Sequence, residues 1–369
     1  MVIQQFQKEF IRMKFTKLSL ITILAVSTMS TLVSAEESAT TVTGKSQVYY
    51  YTTDNAGEGS LTDKESTASG AAVTLDVTHK ITDNFTANFS AVGHSHLGDS
   101  IGQNKMEGSN TGGYFNIANL TGTFGDTTVI AGRQQLATPM LGGFDWLLAP
   151  GSFEAYTMAN KSIDKVTLIA SYVNKWRGNN SGDNFAKLAD DNYAIGAVYN
   201  DVVDANLWYY NVDALDYTQI YFDVSKKLDP VTVSGQVATT DYGTGDDSTA
   251  YGIKVGTSLS GFDLNVAYNN VDDRSAGMVG IDSMYTSSWN NFASQDVGAS
   301  WKLDASKEFS GVSTSLSYAD YETNGEELDL VLGYGVADNM SLDAIFTNTK
   351  YSEDDDAENA LELIATYTF

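Results

Sequence analysis

Cysteine is absent from this chain, and only three of its 369 residues are proline. Without thiols there is no disulfide framework, which removes the small stapled secreted domain as a reading. Scarce proline suits long strand ladders, which cannot spare backbone donors. Basic residues are also few: 21 Lys and Arg stand against 47 Asp and Glu, for a formal charge of −26. That sign is opposite to what a nucleic-acid partner requires. Beyond residue 35 no segment reaches the roughly 18 uninterrupted apolar residues of a transmembrane helix. Histidine is limited to His79, His94 and His96, with no serine motif around them. A nucleophile with its base is therefore missing, and no enzyme is expected. His94 and His96 share a strand face but lack a third ligand nearby, so a polar loop edge explains them better than a metal pair.

The amino terminus carries Lys14 and Lys17 before an apolar run from Leu18 to Met29, followed by the small residues Val33-Ser34-Ala35. This pattern predicts a secretory signal peptide over 1–35, with Met13 as the natural start and 36–369 as a single mature domain. Removing residues 1–35 deletes four basic groups and one acid, so −26 becomes −29. An exported chain without an apolar helix can enter a membrane only as a closed barrel of strands, because lipid offers no partners to backbone amides.

The mature region alternates strand-like segments with turn signals. Eighteen segments are expected, from 40–51 to 358–369, among them 126–137, 152–162, 293–304 and 309–320; sixteen is the alternative count. The connections alternate in length. Short turns such as Thr82-Asp83-Asn84, Gly125-Asp126 and Ser260-Gly261 alternate with longer loops such as 52–68, 138–151 and 272–292. Short turns on one side and long loops on the other is the pattern of an outer-membrane barrel. The connection from Asp213 to Asp216 is the exception, short where a long loop is due.

Several strands have one apolar and one polar face. Val73, Leu75 and Val77 oppose Thr74, Asp76 and Thr78, and Phe262, Leu264, Val266 and Tyr268 oppose Asp263, Asn265, Ala267 and Asn269. An inner face this polar is costly as a dry core. A water-filled lumen resolves the cost, and eighteen strands leave room for one. The expected architecture is an all-β transmembrane antiparallel barrel with an open pore.

Two motifs sharpen this expectation. The final residues LELIATYTF place Leu361, Leu363, Ala365, Tyr367 and Phe369 on one face of a strand ending at the last residue. A terminal aromatic of this kind resembles the recognition signal for folding outer-membrane barrels, so Tyr367 and Phe369 are the expected assembly signal. The segment Gly132 to Ala155 joins strands five and six and carries Met140, Leu141, Phe144, Trp146, Leu147 and Leu148. Exposed to water these residues would form an aggregation-prone patch. They are expected to fold into the barrel, as the only long loop rich in apolar residues.

With Thr138-Pro139-Met140-Leu141 entering that loop, Leu147-Leu148-Ala149-Pro150 leaving it and Phe153-Glu154 following, the chain resembles the OprD-like porin family and the related eighteen-stranded major outer-membrane porins. The resemblance implies passive diffusion of small hydrophilic solutes through a trimeric barrel in the outer membrane of a Gram-negative cell. It also implies contact with lipid, lipopolysaccharide and the barrel assembly machinery. Some members of that family line one wall with arginines. Here the mature part holds only Arg133, Arg177 and Arg274, so a carboxylate-uptake role does not carry over.

The expected constriction comprises Arg133, Phe144, Asp145, Trp146 and Glu154, with Asp145 facing Arg133 across a transverse field. Expected luminal charges are Asp76, Asp223, Asp263, Asp329, Asp343 and Glu362, against Lys254 and Lys302. An acidic lining concentrates cations, so a mild cation preference is expected. The acidic loop runs Asp246-Asp247, Asp272-Asp273 and Glu353 to Asp356 lack the spacing of a calcium loop. No cofactor is expected, and a divalent cation at those runs is the weaker alternative. The competing function is an adhesin or structural barrel without an open pore, its acidic loops doing the binding.

Overall fold

The computed structural model describes residues 39–57, 59–97, 111–143, 148–179, 184–352 and 355–369, without the side chain of Asp190. The expected signal peptide, the loop residues Phe144, Asp145 and Trp146, and Glu353 and Asp354 lie outside these residues. Eighteen antiparallel strands follow in chain order. They are β1 (Thr40–Thr53), β2 (Thr67–Lys80), β3 (Phe85–His96), β4 (Gly112–Phe124), β5 (Thr127–Gln134), β6 (Ser152–Ile163), β7 (Val166–Arg177), β8 (Ala186–Asn200) and β9 (Asp204–Val212). The second half comprises β10 (Tyr217–Leu228), β11 (Val231–Tyr242), β12 (Ser248–Leu259), β13 (Phe262–Val271), β14 (Gly298–Phe309), β15 (Val312–Tyr321), β16 (Gly325–Ala337), β17 (Met340–Thr349) and β18 (Glu358–Thr368). Each strand pairs with its sequence neighbours, and β1 pairs with both β2 and β18, placing Lys45 opposite Thr74 on one side and Thr368 on the other. Closure leaves no strand edge unpaired in lipid. The count is eighteen, not sixteen.

Parity decides which residues meet lipid. Val73 and Leu75 are exposed while Ala72 and Thr74 are buried, and the same alternation runs through Ile195, Ile253, Val266, Leu316 and Leu363. Since the outside of a barrel is the solvent-accessible side in the absence of lipid, exposed apolar residues mark the outward face. Aromatic residues gird this face at both ends. Phenylalanines pair at the turn end, Phe85 with Phe124 and Phe262 with Phe309, whereas Tyr193 with Tyr209 and Trp301 with Tyr318 mark the loop end. From Trp301 to Phe309, eight residues at about 3.3 Å each span roughly 26 Å along the strand, enough for a band of about 25 Å before tilt.

The last residue helps close the seam. Phe369 N–H donates to Gly44 O at 3.0 Å, and Gly44 N–H donates to Phe369 O at 2.9 Å. The Phe369 ring lies over Gly44, where a Cβ would come within 2.5 Å of the ring and 2.6 Å of Thr74 O. Glycine at that position makes room for the terminal aromatic.

The hairpin at Asp213–Asp216 is real, with a 3-10 turn over Asp213–Leu215 and Asp216 at φ 56°. Several boundaries differ from the sequence expectation, that of β14 by the most. Strand β14 runs over Gly298–Phe309 rather than 293–304, and its turn is Ser310-Gly311, at φ 50° and 88°, rather than 305–308. That dipeptide repeats the Ser260-Gly261 turn, at φ 54° and 78°. Positive φ at both central residues matches a hairpin to the twist of its strands. Residues 293–297 belong instead to the preceding loop, with Ala293 and Ser294 fully buried.

Candidate functional site: two loops folded into the lumen

Nine connections lie on the long-loop side and eight on the turn side. Among the described residues, those of the third (135–143 and 148–151) and the seventh (272–297) turn inward. In the third, Leu136, Met140, Leu141, Leu148 and Ala149 are all buried. Leu136, Met140 and Leu141 pack in one cluster with Phe153, Trp208, Tyr210 and Tyr221 of the wall. Leu148 belongs to a second cluster, with Tyr49, Tyr51, Val331, Ile345 and Ile364. The inward fold expected for this loop is therefore present in its described part.

The seventh loop corrects the expectation that only the third is apolar. Its stretch Met278, Val279, Ile281, Met284, Tyr285, Trp289 and Phe292 was legible as aromatic and apolar, but interleaved Ser, Asn and Gly masked it. The two loops dock by backbone. Val279 N–H donates to Met140 O at 2.9 Å, and Gly142 N–H donates to Val279 O at 3.0 Å. Gly280 sits beside this contact at φ 73°, where a Cβ would strike Gly142 O. Gly280→Val is expected to part the loops, since clash and backbone strain together cost about 1–3 kcal/mol. Chymotrypsin cleavage at Tyr285 and Trp289, protected in the parent protein, should then appear in the variant; unchanged protection would refute the docking role.

Wall side chains hold the seventh loop mostly through its backbone. Glu327 on β16 accepts the amides of Asn290, at 2.7 Å, and Asn291, at 3.0 Å. Asp329 accepts Ser317 Oγ at 3.0 Å and the Trp289 amide at 3.3 Å. Glu362 on β18 accepts Trp289 Nε1 at 2.9 Å and Tyr49 Oη at 2.7 Å. Lys302 Nζ donates to Ser287 O at 2.7 Å, and Tyr321 Oη donates to Thr286 O at 2.6 Å. On the other wall Tyr242 Oη donates to Ser275 O at 2.9 Å, and Gln219 donates to the carbonyls of Ala276 and Gly277. Within the loop, Asp282 accepts the amides of Met284 and Ser294 and the Ser287 hydroxyl. Burial pushes the Asp296 carboxyl above the ordinary carboxylate range, while hydrogen bonds from Thr323 and the Asn324 amide pull it part of the way back.

The luminal charges thus divide into two groups. Asp223, Asp329 and Glu362 face inward but are buried, Asp223 beside Asn206 and the other two under the seventh loop. Glu327 joins them as an inward acid that the sequence reading did not single out. Asp76, Asp263 and Asp343 share the inward parity and are half-buried; Ser258 Oγ donates to Asp263. Lys254 lies over the Tyr285 ring, its Nζ 4.5 Å from the centroid. In register, Lys254 and Lys302 both face Ala267, one row of the same wall.

Arg133 and Glu154 are placed differently from the expectation. They pair directly across β5 and β6 and share parity with the exposed Val129, Tyr156 and Met158, not with the buried Gln134, Phe153 and Thr157. Both therefore face outward, so Arg133 does not point into the lumen; Asp145 lies outside the described residues. One-residue alternation near a strand end is what the sequence left unresolved, because the end of β5 was expected at 137 rather than at Gln134. Arg177 is buried against the Tyr114 ring and donates to Pro150 O at 3.3 Å. Among the described residues no group of three or more His, Cys, Asp and Glu side chains is placed to hold a metal ion.

Six large side chains of the wall and third loop, Trp208, Tyr210, Tyr221, Phe153, Met140 and Leu141, are under 2 % exposed. A wide empty lumen would leave the wall residues among them wet, so the inward loops occupy a substantial part of the interior.

Neither a protein-family model nor a curated protein sequence matches the chain. Solved structures do match in fold. A BenF-like porin from Pseudomonas fluorescens Pf-5 superposes with a TM-score of 0.75 at 14% identity, covering 89% of this chain and 98% of that one. OccAB4 from Acinetobacter baumannii gives 0.75 at 15% identity, over 90% and 99% of the two chains. OpdQ from Pseudomonas aeruginosa gives 0.73 at 17% identity, over 89% and 97%. The chain has the closed eighteen-stranded antiparallel barrel of the OprD-type and Occ-type porins.

Proposed function

We propose that this protein is an outer-membrane porin of small aperture, passing small hydrophilic solutes and ions by passive diffusion with a mild preference for cations. The observation that carries the reading is the polar inner wall of a closed barrel, with two loops folded onto it and held there by wall side chains. The fold likeness to a protein titled as a BenF-like porin supports it. The expected homotrimer, its insertion by the barrel assembly machinery and its residence among lipopolysaccharide belong to the same proposal. Proteoliposomes loaded with an impermeant dye and challenged with sugars of rising mass test it: efflux should be fast for small sugars and fall off sharply with size. Equal impermeability to all of them would favour the alternative of a sealed scaffold or adhesin.

Cation preference rests on the half-buried inward acids, chiefly Asp76 and Asp263. Carboxylates on a low-dielectric wall raise the local density of cations, an effect screened over about 8 Å at physiological salt. The double variant Asp76→Asn, Asp263→Asn is expected to lower the potassium-to-chloride permeability ratio by about twofold, on the order of 0.4 kcal/mol in relative barrier height. Reversal potentials under a salt gradient measure it, and an unchanged ratio would show that these acids do not govern permeation.

A further inference from the structure

The loop-end girdle changes character over β10 and β11. Strands β8, β9, β12 and β13 turn Tyr193, Tyr209, Tyr251 and Tyr268 outward there. In register with Tyr209, however, β10 carries Ile220, β11 Thr239 and β12 Thr249. One row farther out, Thr218 stands opposite Asp241. Parity turns all of these outward, because Tyr210, Gln219, Ala238 and Ala250 next to them in sequence are buried. The result is a hollow of about 300 Å³, whose lining includes Tyr209, Thr218, Thr239, Asp241, Asp247 and Thr249. Thr239, Asp241, Asp247 and Thr249 are exposed, and Asp247 accepts the Tyr242 amide at 3.1 Å, which orders its carboxylate.

The lining selects the chemistry of an occupant. Among the described residues no lysine or arginine lines the hollow, so it offers a phosphate no counter-charge. Two carboxylates fall short of the oxygen shell of a divalent cation, and among the described residues no group of three His, Cys, Asp and Glu side chains is placed to hold one. What remains is a set of hydroxyl and carboxylate oxygens beside an aromatic ring. That combination suits a sugar. Carboxylates accept short, strong hydrogen bonds from its hydroxyls, threonines both donate and accept, and the tyrosine ring covers its C–H face. The volume lies at the lower end of the roughly 300–1,000 Å³ of small-molecule sites, room for one sugar ring. Thr218 and Asp241 lie two residues beyond the Tyr209 row, roughly 7 Å, which is headgroup depth. Below them the same strands expose Leu207, Phe222 and Ile253 to acyl chains.

We infer that this hollow seats the sugar ring of an outer-leaflet glycolipid through its hydroxyls, with the acyl chains lying on the apolar wall below. A polar notch that continues directly into a lipid-facing band fits an amphiphile of the membrane, not a sugar free in solution. The inference rests on the outer-membrane reading and is independent of whether the pore conducts.

Native mass spectrometry of the full-length mature protein in a polyoxyethylene detergent tests it. Three lipids with the same acyl chains are added in turn: a monoglucosyl diacylglycerol, the bare diacylglycerol and a phosphatidylglycerol. The parent protein should retain the glucosyl lipid about threefold more than either of the others. Asp241→Ala with Thr239→Val should abolish that preference while the barrel keeps the heat-modifiable migration of folded protein. Thr218→Val with Thr249→Val, which removes hydroxyls but no charge, should lower retention of the glucosyl lipid about twofold. Asp320→Ala with Glu326→Ala, a pair of outward acids at the same end of β15 and β16, should behave as the parent. Equal retention of the three lipids, or a preference that survives both changes to the hollow, overturns the proposal, as does its loss in the Asp320 and Glu326 variant. Preferential retention of the phosphatidylglycerol overturns it in favour of an anion site. Displacement of the glucosyl lipid by methyl glucoside at the same concentration overturns it in favour of a soluble sugar. Conductance measured on the same samples reports separately on the porin reading.

Discussion

Replacing Glu327 by Ala should release the tip of the seventh loop and enlarge the pore several-fold in conductance. The carboxylate is fully buried and accepts two loop amides, from Asn290 and Asn291. Each hydrogen bond contributes about 0.5–1.5 kcal/mol, and losing both also leaves two loop amides without an acceptor. The neighbouring Asp329 and Glu362 reach the loop at Trp289 and are otherwise engaged by Ser317 and Tyr49, so they cannot take over those amides without moving the loop. The barrel itself should survive, because its ladders do not depend on loop contacts. Single-channel steps larger than those of the parent, with new chymotrypsin cleavage at Trp289, are the expected result. Unaltered steps would mean that this loop does not limit the aperture.

Deleting Phe369, or replacing it with Asp, should have the largest effect of all on abundance in the membrane. The residue pairs by backbone with Gly44, stacks against Tyr367 with ring centroids 6.2 Å apart, and lies over the one glycine that gives it room. It belongs to the strand that closes the barrel, so its loss leaves β1 and β18 without the last register contact at the turn end. A charge there would also lie on the outward face. Heat-modifiable protein in the outer-membrane fraction is expected to fall by about tenfold, the amount corresponding to roughly 1.4 kcal/mol at an equilibrium step, with unfolded chain accumulating in the periplasm. Full abundance of the variant would refute the role of the terminal aromatic. Gly44→Val should mimic the loss in part.

Strand number, outward faces and the alternation of loop lengths were legible because each rests on local periodicity. Val73, Leu75, Phe262, Leu264 and Val266 alternate with polar residues in a way that only one lipid-facing side explains. The turn Ser310-Gly311 was missed although Ser260-Gly261 was read, because Lys307 and Glu308 offered a more polar stretch as the turn. Less of the site was legible. A loop folds inward for reasons distributed over distant strands: Trp289 is anchored by Glu362, 73 residues away, and Tyr321 reaches back 35 residues to Thr286. No local pattern reports such pairings. For the same reason Asp329 and Glu362 read as free luminal charges and are in fact loop anchors. Arg133 shows a different limit, since an error of three residues in a strand end decides which face a side chain takes.

Single-channel recording of the purified protein in a planar lipid bilayer tests the central claim most directly. A porin narrowed by its third and seventh loops should give discrete conductance steps, with a potassium preference that fades as salt rises. Absence of any steps from protein that is folded and inserted would contradict the account and leave a sealed barrel.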